Sequence, residues 1–295
     1  MLKVSIVMPV YNMERFISQA LDSVLAQTYK NYELIIIDDG SSDDSKRIIK
    51  KYIKNFENSV SIIYLYQKNQ GVACARNTGI RSSSGEYIAL LDPDDVWLPN
   101  RLLEGVKVLD MNPTVGLVHA NIIYIDEVGS QTGVPLRNAF LLSGNIYKNI
   151  LLRKGHISCS TVLFRRSCLD EIGLFDEHLT YLGCEDRDLW LRIAAKYQFY
   201  YIAKELAYYR RVVGSMSSNF EKMLQGRYYV VDKNSRSLLR RKGHAAIHEE
   251  IADILAYKRE YGRALKDYLI SLIYWPFRLR VVSGLVKTFL RLIAQ

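Results

Sequence analysis

The chain has 295 residues, of which 49% are apolar and 24% charged, and its net charge at neutral pH is +9. This suits one large, soluble domain, or one domain with an appendage, and no run approaches the ~18 uninterrupted apolar residues of a spanning helix. The positive balance fits an anionic partner, whether nucleotide, phospholipid, phosphorylated lipid or nucleic acid, although solubility alone accounts for it too. Met1 leads into a strand within two residues, without the basic and apolar regions of a leader, so no signal peptide is expected. The four cysteines, Cys74, Cys159, Cys168 and Cys184, lack metal-site spacing and read as free thiols of a reducing compartment.

The first half alternates strand and helix. Residues 4–10 form a short apolar run, as in a buried parallel strand. Phe16, Ile17, Ala20, Leu21, Val24 and Leu25 then follow a helical stripe. Strands are expected at 34–37, 62–66 and 87–91, with helices at 45–55 and 71–81 between them. Such repeats imply a parallel sheet covered on both faces, with ligands beyond the carboxyl ends of its strands. The second half is less regular. Strands are expected at 115–126 and 160–165, a helix at 185–196, and a helical pattern from about residue 220.

Three polar clusters fall at the ends of the early strands: Pro9-Val10-Tyr11-Asn12, Asp38-Asp39-Gly40-Ser41 and Asp92-Pro93-Asp94-Asp95. One such cluster is a turn, but three on one sheet edge make a site. The carboxylates of the last cluster cannot all pack into a core, because unpaired buried charge is too costly. They need water, a cationic partner or a hard divalent cation such as Mg²⁺ or Mn²⁺, which takes oxygen ligands and substrate phosphates. An acidic turn capping a helix that begins near Pro99 is an equal alternative.

These clusters and their surroundings resemble family 2 glycosyltransferases, which have a GT-A fold. The matching segments are 4–12, Gln27-Thr28-Tyr29, 33–41, Asn69-Gln70-Gly71-Val72 with Ala75-Arg76-Asn77-Thr78-Gly79, 85–88 and 91–95. Glu185-Asp186-Arg187-Asp188-Leu189-Trp190 resembles the family's later acidic motif, and the likeness runs over residues 3–217. The resemblance implies an inverting transfer of a sugar from a nucleoside-diphosphate donor, with uridine the habitual base, to a glycan or lipid-linked hydroxyl.

The resemblance also implies roles. Tyr11 would stack on the base, and Pro9 and Val10 would meet it through their backbone. Asp39, or alternatively Asp38, would accept from a base N–H; helix capping is the competing reading for both. Arg76 would meet the diphosphate or the base, unless it lies on a solvated helix face. Asp92 would contact ribose or a metal-bound water, and Asp94 would hold the metal, Mn²⁺ or Mg²⁺, that neutralises the leaving diphosphate. Asp95 would orient the site or cap the next helix. Asp186 occupies the family's general-base position, although Glu185, Asp186 and Asp188 also suit a helix N-terminus. Glu185, Trp190 and His156 are acceptor-side candidates; Trp190 suits core packing equally, and His156 is most simply a loop residue without a role. Val212 stands where the family often has a histidine near the diphosphate, so Arg210 or Arg211 would neutralise the phosphates instead.

The expected organisation is a GT-A catalytic domain over 1–220 and a helical appendage over 221–295. In the appendage Val281, Val282, Leu285, Val286, Phe289, Leu290 and Ile293 share one half of a helical wheel, and Arg280, Lys287 and Arg291 the other. Such a helix lies in a membrane interface, or packs on the catalytic domain or a second subunit. The first reading would place the protein in the cytoplasm, peripheral at the inner face of the cell membrane. A nucleotidyltransferase is disfavoured because no glycine-rich loop follows the first strand. A non-catalytic nucleotide-binding protein is disfavoured by intact Asp94 and Asp186. Nucleic acid is disfavoured because the basic residues are spread out and acidic clusters line the expected cleft.

Overall fold

The computed structural model describes residues 4–56, 60–133, 143–212 and 220–293. In chain order the first elements are β1 (Val4–Val10), α1 (Ile17–Leu25), β2 (Tyr32–Asp38), α2 (Ser45–Phe56), β3 (Ser61–Tyr66), α3 (Val72–Arg81) and β4 (Tyr87–Leu90). Then come β5 (Val96–Trp97), α4 (Arg101–Met111), β6 (Val115–Ile125), α5 (Tyr147–Leu151), β7 (Leu163–Arg165), α6 (Arg166–Ile172), α7 (Glu185–Ala194) and β8 (Gln198–Arg210). Four helices follow: α8 (Phe220–Asn234), α9 (Ser237–Tyr257), α10 (Tyr261–Tyr274) and α11 (Leu279–Ile293).

The strands form one eight-stranded sheet in the order β3-β2-β1-β4-β7-β6-β8-β5. The expected α/β sheet is therefore present as a mixed one. Its β3-β2-β1-β4 half is parallel, whereas β7 runs antiparallel to both β4 and β6. Every residue of β1, β2 and β4 is buried, because alternate side chains enter cores on opposite faces. Val7, Ile35, Ile37, Ile88 and Leu90 point to one core, with α3 and α7. Ile6, Met8, Leu34, Ile36 and Ala89 point to the other, with α1 and α4. Gly79 lets α3 approach closely, since a Cβ there would meet Ile37 and Val7 at 2.5 Å.

The second half departs from expectation in two places. Residues 160–161 belong to a 3-10 turn, Cys159–Thr161, and the strand begins only at Leu163. The long strand β8 pairs with β6 through register irregularities at Ala120, Asn121 and Ile122. Val230, Val231, Ile247 and Ile251 of the C-terminal helices enter the same core as Val7 and Trp190. Farther out, Val281 and Leu285 of α11 pack on Ala252, Tyr268 and Leu272. Among the described residues, no helix is long and apolar enough to cross a membrane.

Candidate active site

Because β1, β2 and β3 are parallel and in register, Val10, Asp38 and Tyr66 end side by side. The loops leaving them are joined by hydrogen bonds. Asn12, held at a left-handed φ of 53°, accepts from the Ser42 amide at 2.8 Å, and its own amide donates to Ser41 Oγ at 3.1 Å. Asparagine tolerates that backbone because its short polar side chain bonds locally. Pro9 and Val10 are buried, and Tyr11 beyond them is 47% exposed. Tyr11 is thus available at the rim for stacking.

Asp38 and Asp39 are both buried and bonded within the protein. Asp38 Oδ1 accepts from the Ser41 amide at 2.8 Å and Oδ2 from the Tyr64 hydroxyl at 2.7 Å. Asp39 accepts from Gln67 Nε2 at 2.7 Å, the Gln70 amide at 2.9 Å and the Gly71 amide at 2.8 Å. It therefore fastens the entrance to α3. Neither caps α2, whose first amide, on Ser45, donates to Asp43 at 3.0 Å.

The turn after β4 is built differently. Asp95, 1% exposed, accepts from Ser160 Oγ at 2.5 Å and from the Arg210 amide at 2.9 Å. Ser160 Oγ also accepts from the Asp92 amide at 3.2 Å. Ser160 and Asp95 are thus the internal frame of the turn, and α4 begins six positions later without a side-chain cap. Arg210 lies behind the frame. Its guanidinium donates to the backbone carbonyls of Asp94 at 2.8 Å and Asp126 at 3.0 Å, and to Gln19 at 2.6 Å. Those donors are committed away from any diphosphate. Asp94 is only partly buried. Burial, then the charge of Asp92, pushes its carboxyl up to about 6 against the pull of Arg210 and Arg76.

Arg76 joins this turn to α7. Far from a solvated helix face, it is 3% exposed. Its Nη2 donates to Asp92 at 2.7 Å and its Nη1 to Glu185 at 2.6 Å, and it stacks 5.4 Å from the Phe175 ring. Glu185 is likewise buried, so the pair is a fixed strut rather than a surface ion pair. Asp186 follows at the start of α7, after two left-handed residues, Gly183 (φ 70°) and Cys184 (φ 68°). A non-glycine residue there carries strain of roughly 1–3 kcal/mol, typical of sites that aim a side chain. Asp186 accepts from the Arg187 amide at 2.6 Å and remains partly open to solvent. Asp188 is completely buried and binds Arg192, Lys233 and Asn234, so it ties α7 to α8.

Tyr209, given no role from sequence, lies near both groups of carboxylates. Burial, then the carboxylates of Asp95, Asp92, Asp94 and Asp186, pushes its hydroxyl well above the ordinary tyrosine value. Charges from both ends of the site therefore act on one group. The His156 ring lies 6.4 Å from Tyr209, centroid to centroid. Solvent reaches His156, yet desolvation by surrounding protein pushes its pKa down, opposed by Asp186 and reinforced by Arg187 and Arg153. Trp190, by contrast, is 2% exposed and packs edge-on against Phe164 and Phe175. It is core, not the floor of an opening. Arg211 is exposed, with its guanidinium 4.0 Å from the centre of the Tyr124 ring. Val212 is partly buried, and residues 213–217, which follow it and also fall within the likeness, lie outside the described residues.

A divalent cation would find oxygen donors of the right hardness here. Among the described residues, no three His, Cys, Asp or Glu side chains gather into a closed metal site. That suits an ion held by one or two carboxylates plus a diphosphate. Burial first, and then the neighbouring charge of Asp92, disfavour the anion of Asp94; a cation beside it would offset both, so the residues fit such an ion.

The sequence model of glycosyl transferase family 2 matches residues 5–173. An uncharacterized glycosyltransferase of Rickettsia bellii is 37% identical over 205 residues, covering 70% of this chain and 28% of that protein. The chain thus spans under a third of that relative's length. The enzyme WfgD of Escherichia coli, a UDP-Glc:alpha-D-GlcNAc-diphosphoundecaprenol beta-1,3-glucosyltransferase, is 36% identical over 192 residues, or 64% of this chain and 69% of its own. Among solved structures, TarS 1-349 of S. aureus in complex with UDP-GlcNAc superposes with a TM-score of 0.67 at 17% identity, covering 97% of this chain and 89% of that one. The mannosyltransferase PcManGT of Pyrobaculum calidifontis, in complex with GDP-Man and Mn2+, gives 0.67 at 17%, covering 98% and 86%. At such identities the likeness is one of fold, and that fold is GT-A. The family match extends through β1–β4, the acidic turn and Ser160, and on this ground the chain belongs to glycosyltransferase family 2.

Proposed function

We propose that the protein transfers a sugar from a nucleoside-diphosphate donor, most simply a UDP-sugar, to a hydroxyl of a glycan or lipid-linked saccharide, with inversion at the anomeric carbon. The observation that carries this is the Arg76 strut, which bonds Asp92 of the acidic turn after β4 and Glu185, the residue before Asp186, and so brings the two carboxylate groups to one place. One cleft thereby offers a cation-binding carboxylate and a separate base. The lipid-linked acceptor in WfgD's name and the UDP-GlcNAc bound to TarS support the substrate classes.

The donor lies at the carboxyl edge of β1–β4, with its base against Tyr11 and the backbone at Pro9 and Val10. Asp39 shapes the base pocket through the α3 entrance, and Asp92 meets the ribose side. Asp94 would hold Mn²⁺ or Mg²⁺, which would supply neutralisation of the charge developing on the leaving diphosphate. Asp186 accepts the proton of the acceptor hydroxyl as its oxygen bonds to the anomeric carbon and the bond to the diphosphate breaks. His156, whose pKa is pushed down by desolvation, lines the acceptor side and can hydrogen-bond a sugar hydroxyl. Arg211, exposed just after β8, is the remaining basic candidate for the diphosphate.

The test is release of nucleoside diphosphate from a panel of UDP-, GDP- and dTDP-sugars, with Mn²⁺ and candidate acceptors, by wild type and Asp186→Asn. Release from one donor class, abolished in the variant while nucleotide binding persists, supports the proposal. Absence of both release and nucleotide binding in folded protein would overturn it.

A further inference from the structure

The last two helices carry an apolar surface that the rest of the molecule does not cover. At ~100° per residue, Leu279, Val282, Val286, Phe289, Leu290 and Ile293 fall within an arc of about 100° on α11. All six are exposed, from 42% at Val282 to 83% at Leu279. The face that does pack is a different one, formed by Val281, Leu285 and Thr288. Helix α11 is therefore apolar on two sides, only one of which serves the fold. Leu269 and Ile273 of α10 are exposed as well, and so is Phe277 in the connection. An uncovered apolar area of this extent marks an interaction surface.

Charge selects the partner. Residues 268–295 contain four basic side chains, Arg278, Arg280, Lys287 and Arg291, and no acidic one. Arg278 and Arg280 pair with Glu249 and Asp253 of α9, so Lys287 and Arg291 carry the charge of the segment outside those pairs, and on the wheel they lie together on one side of the exposed arc. A two-fold contact with a second copy would set this all-basic segment against itself. An anionic bilayer complements it, because lysine and arginine near such a surface are drawn by its negative potential. Trp275 at the α10–α11 turn is a side chain that prefers the headgroup level, and Phe277 beside it adds exposed apolar area. A cavity of about 560 Å³ beside this turn is lined by Trp275, Phe277, Arg153 and Lys154, together with the carboxylates Glu249, Glu250 and Asp253. Lys154 is two residues from His156, so the surface adjoins the acceptor side of the cleft.

We propose that α10 and α11 form a docking surface for an anionic membrane, with α11 lying in the interface plane and its exposed arc among the acyl chains. This stands on the surface alone and does not depend on the transfer reaction.

The experiment is co-sedimentation of the full chain with vesicles of phosphatidylglycerol mixed with phosphatidylcholine, and of phosphatidylcholine alone, at low and high salt. Wild type is expected to bind the anionic vesicles, and to bind them less as salt rises. Val286→Asp/Leu290→Asp should weaken this roughly tenfold or more, with UDP binding and circular dichroism unchanged since both side chains are exposed. Lys287→Glu/Arg291→Glu, which leaves the apolar arc intact, should weaken it through charge alone. The inference is overturned by absence of binding to anionic vesicles, or by equal binding to both lipids. It is also overturned if wild type is a dimer that Val286→Asp/Leu290→Asp renders monomeric, because the face would then belong to a second copy.

Discussion

The turns after β2 and β4 both set adjacent carboxylates at the end of a parallel strand, yet they use them in opposite ways. After β2, Asp38 and Asp39 are bonded to five internal donors, Ser41, Tyr64, Gln67, Gln70 and Gly71. After β4, Asp95 takes the structural bonds through Ser160 and Arg210. Asp94 is left partly open, with a proton affinity raised by burial and by Asp92. A carboxylate at a strand end is therefore not yet a ligand. What distinguishes the two classes is whether the protein itself supplies the donors.

The difference can be broken by substitution, beginning with the group on the far side of the cleft. Asp186→Asn removes a base and no structural bond donor, so kcat should fall about 10²–10⁴-fold with UDP affinity unchanged. An equal loss of binding and turnover would return Asp186 to the helix terminus alone. Arg76→Ala strands Glu185 and Asp92, and a broken buried pair costs about 3–5 kcal/mol. Denaturant unfolding should show that loss, which a solvated surface arginine would not.

Asp39→Asn should cost about 1–3 kcal/mol, because its three internal donors lose a carboxylate. Asp94→Asn should leave unfolding stability unchanged or raised, since it removes a crowded charge. Equal losses in both would erase the distinction between the two turns. The smallest effect is the pH response. The carboxyl of Asp94 is held up at about 6, so it is anionic above that value and protonated below it. Metal-dependent UDP binding should weaken as pH falls from 7 through about 6, and Asp94→Asn should flatten that slope.

The parallel half of the sheet was legible because its strands are short apolar runs closed by polar turns, as at Val4–Val10 and Tyr32–Asp38. Strand β8 was not. In Gln198–Arg210, Ala203, Lys204 and Glu205 are exposed and break the apolar alternation, and the pairing with β6 slips at the same place. Because Tyr209 rides on that strand, its place near the two groups of carboxylates was not legible either. Ser160 was hidden for another reason: a serine in a 3-10 turn carries no pattern, and its partners lie 65 and 68 residues away. Arg76 was legible in position but not in environment. Whether an arginine is solvated or buried depends on Asp92 and Glu185, which approach it only through the tertiary fold. Trp190 was ambiguous for the same reason, and packing against Phe164 and Phe175 resolves it.

Calorimetric titration of UDP, with and without Mn²⁺, into wild type and Asp94→Asn tests the central claim most directly. The account predicts that Mn²⁺ tightens UDP binding to wild type by tenfold or more, about 1.4 kcal/mol, and does little for the variant. Metal-dependent binding that survives in Asp94→Asn, or no nucleotide binding by folded wild type, would contradict it.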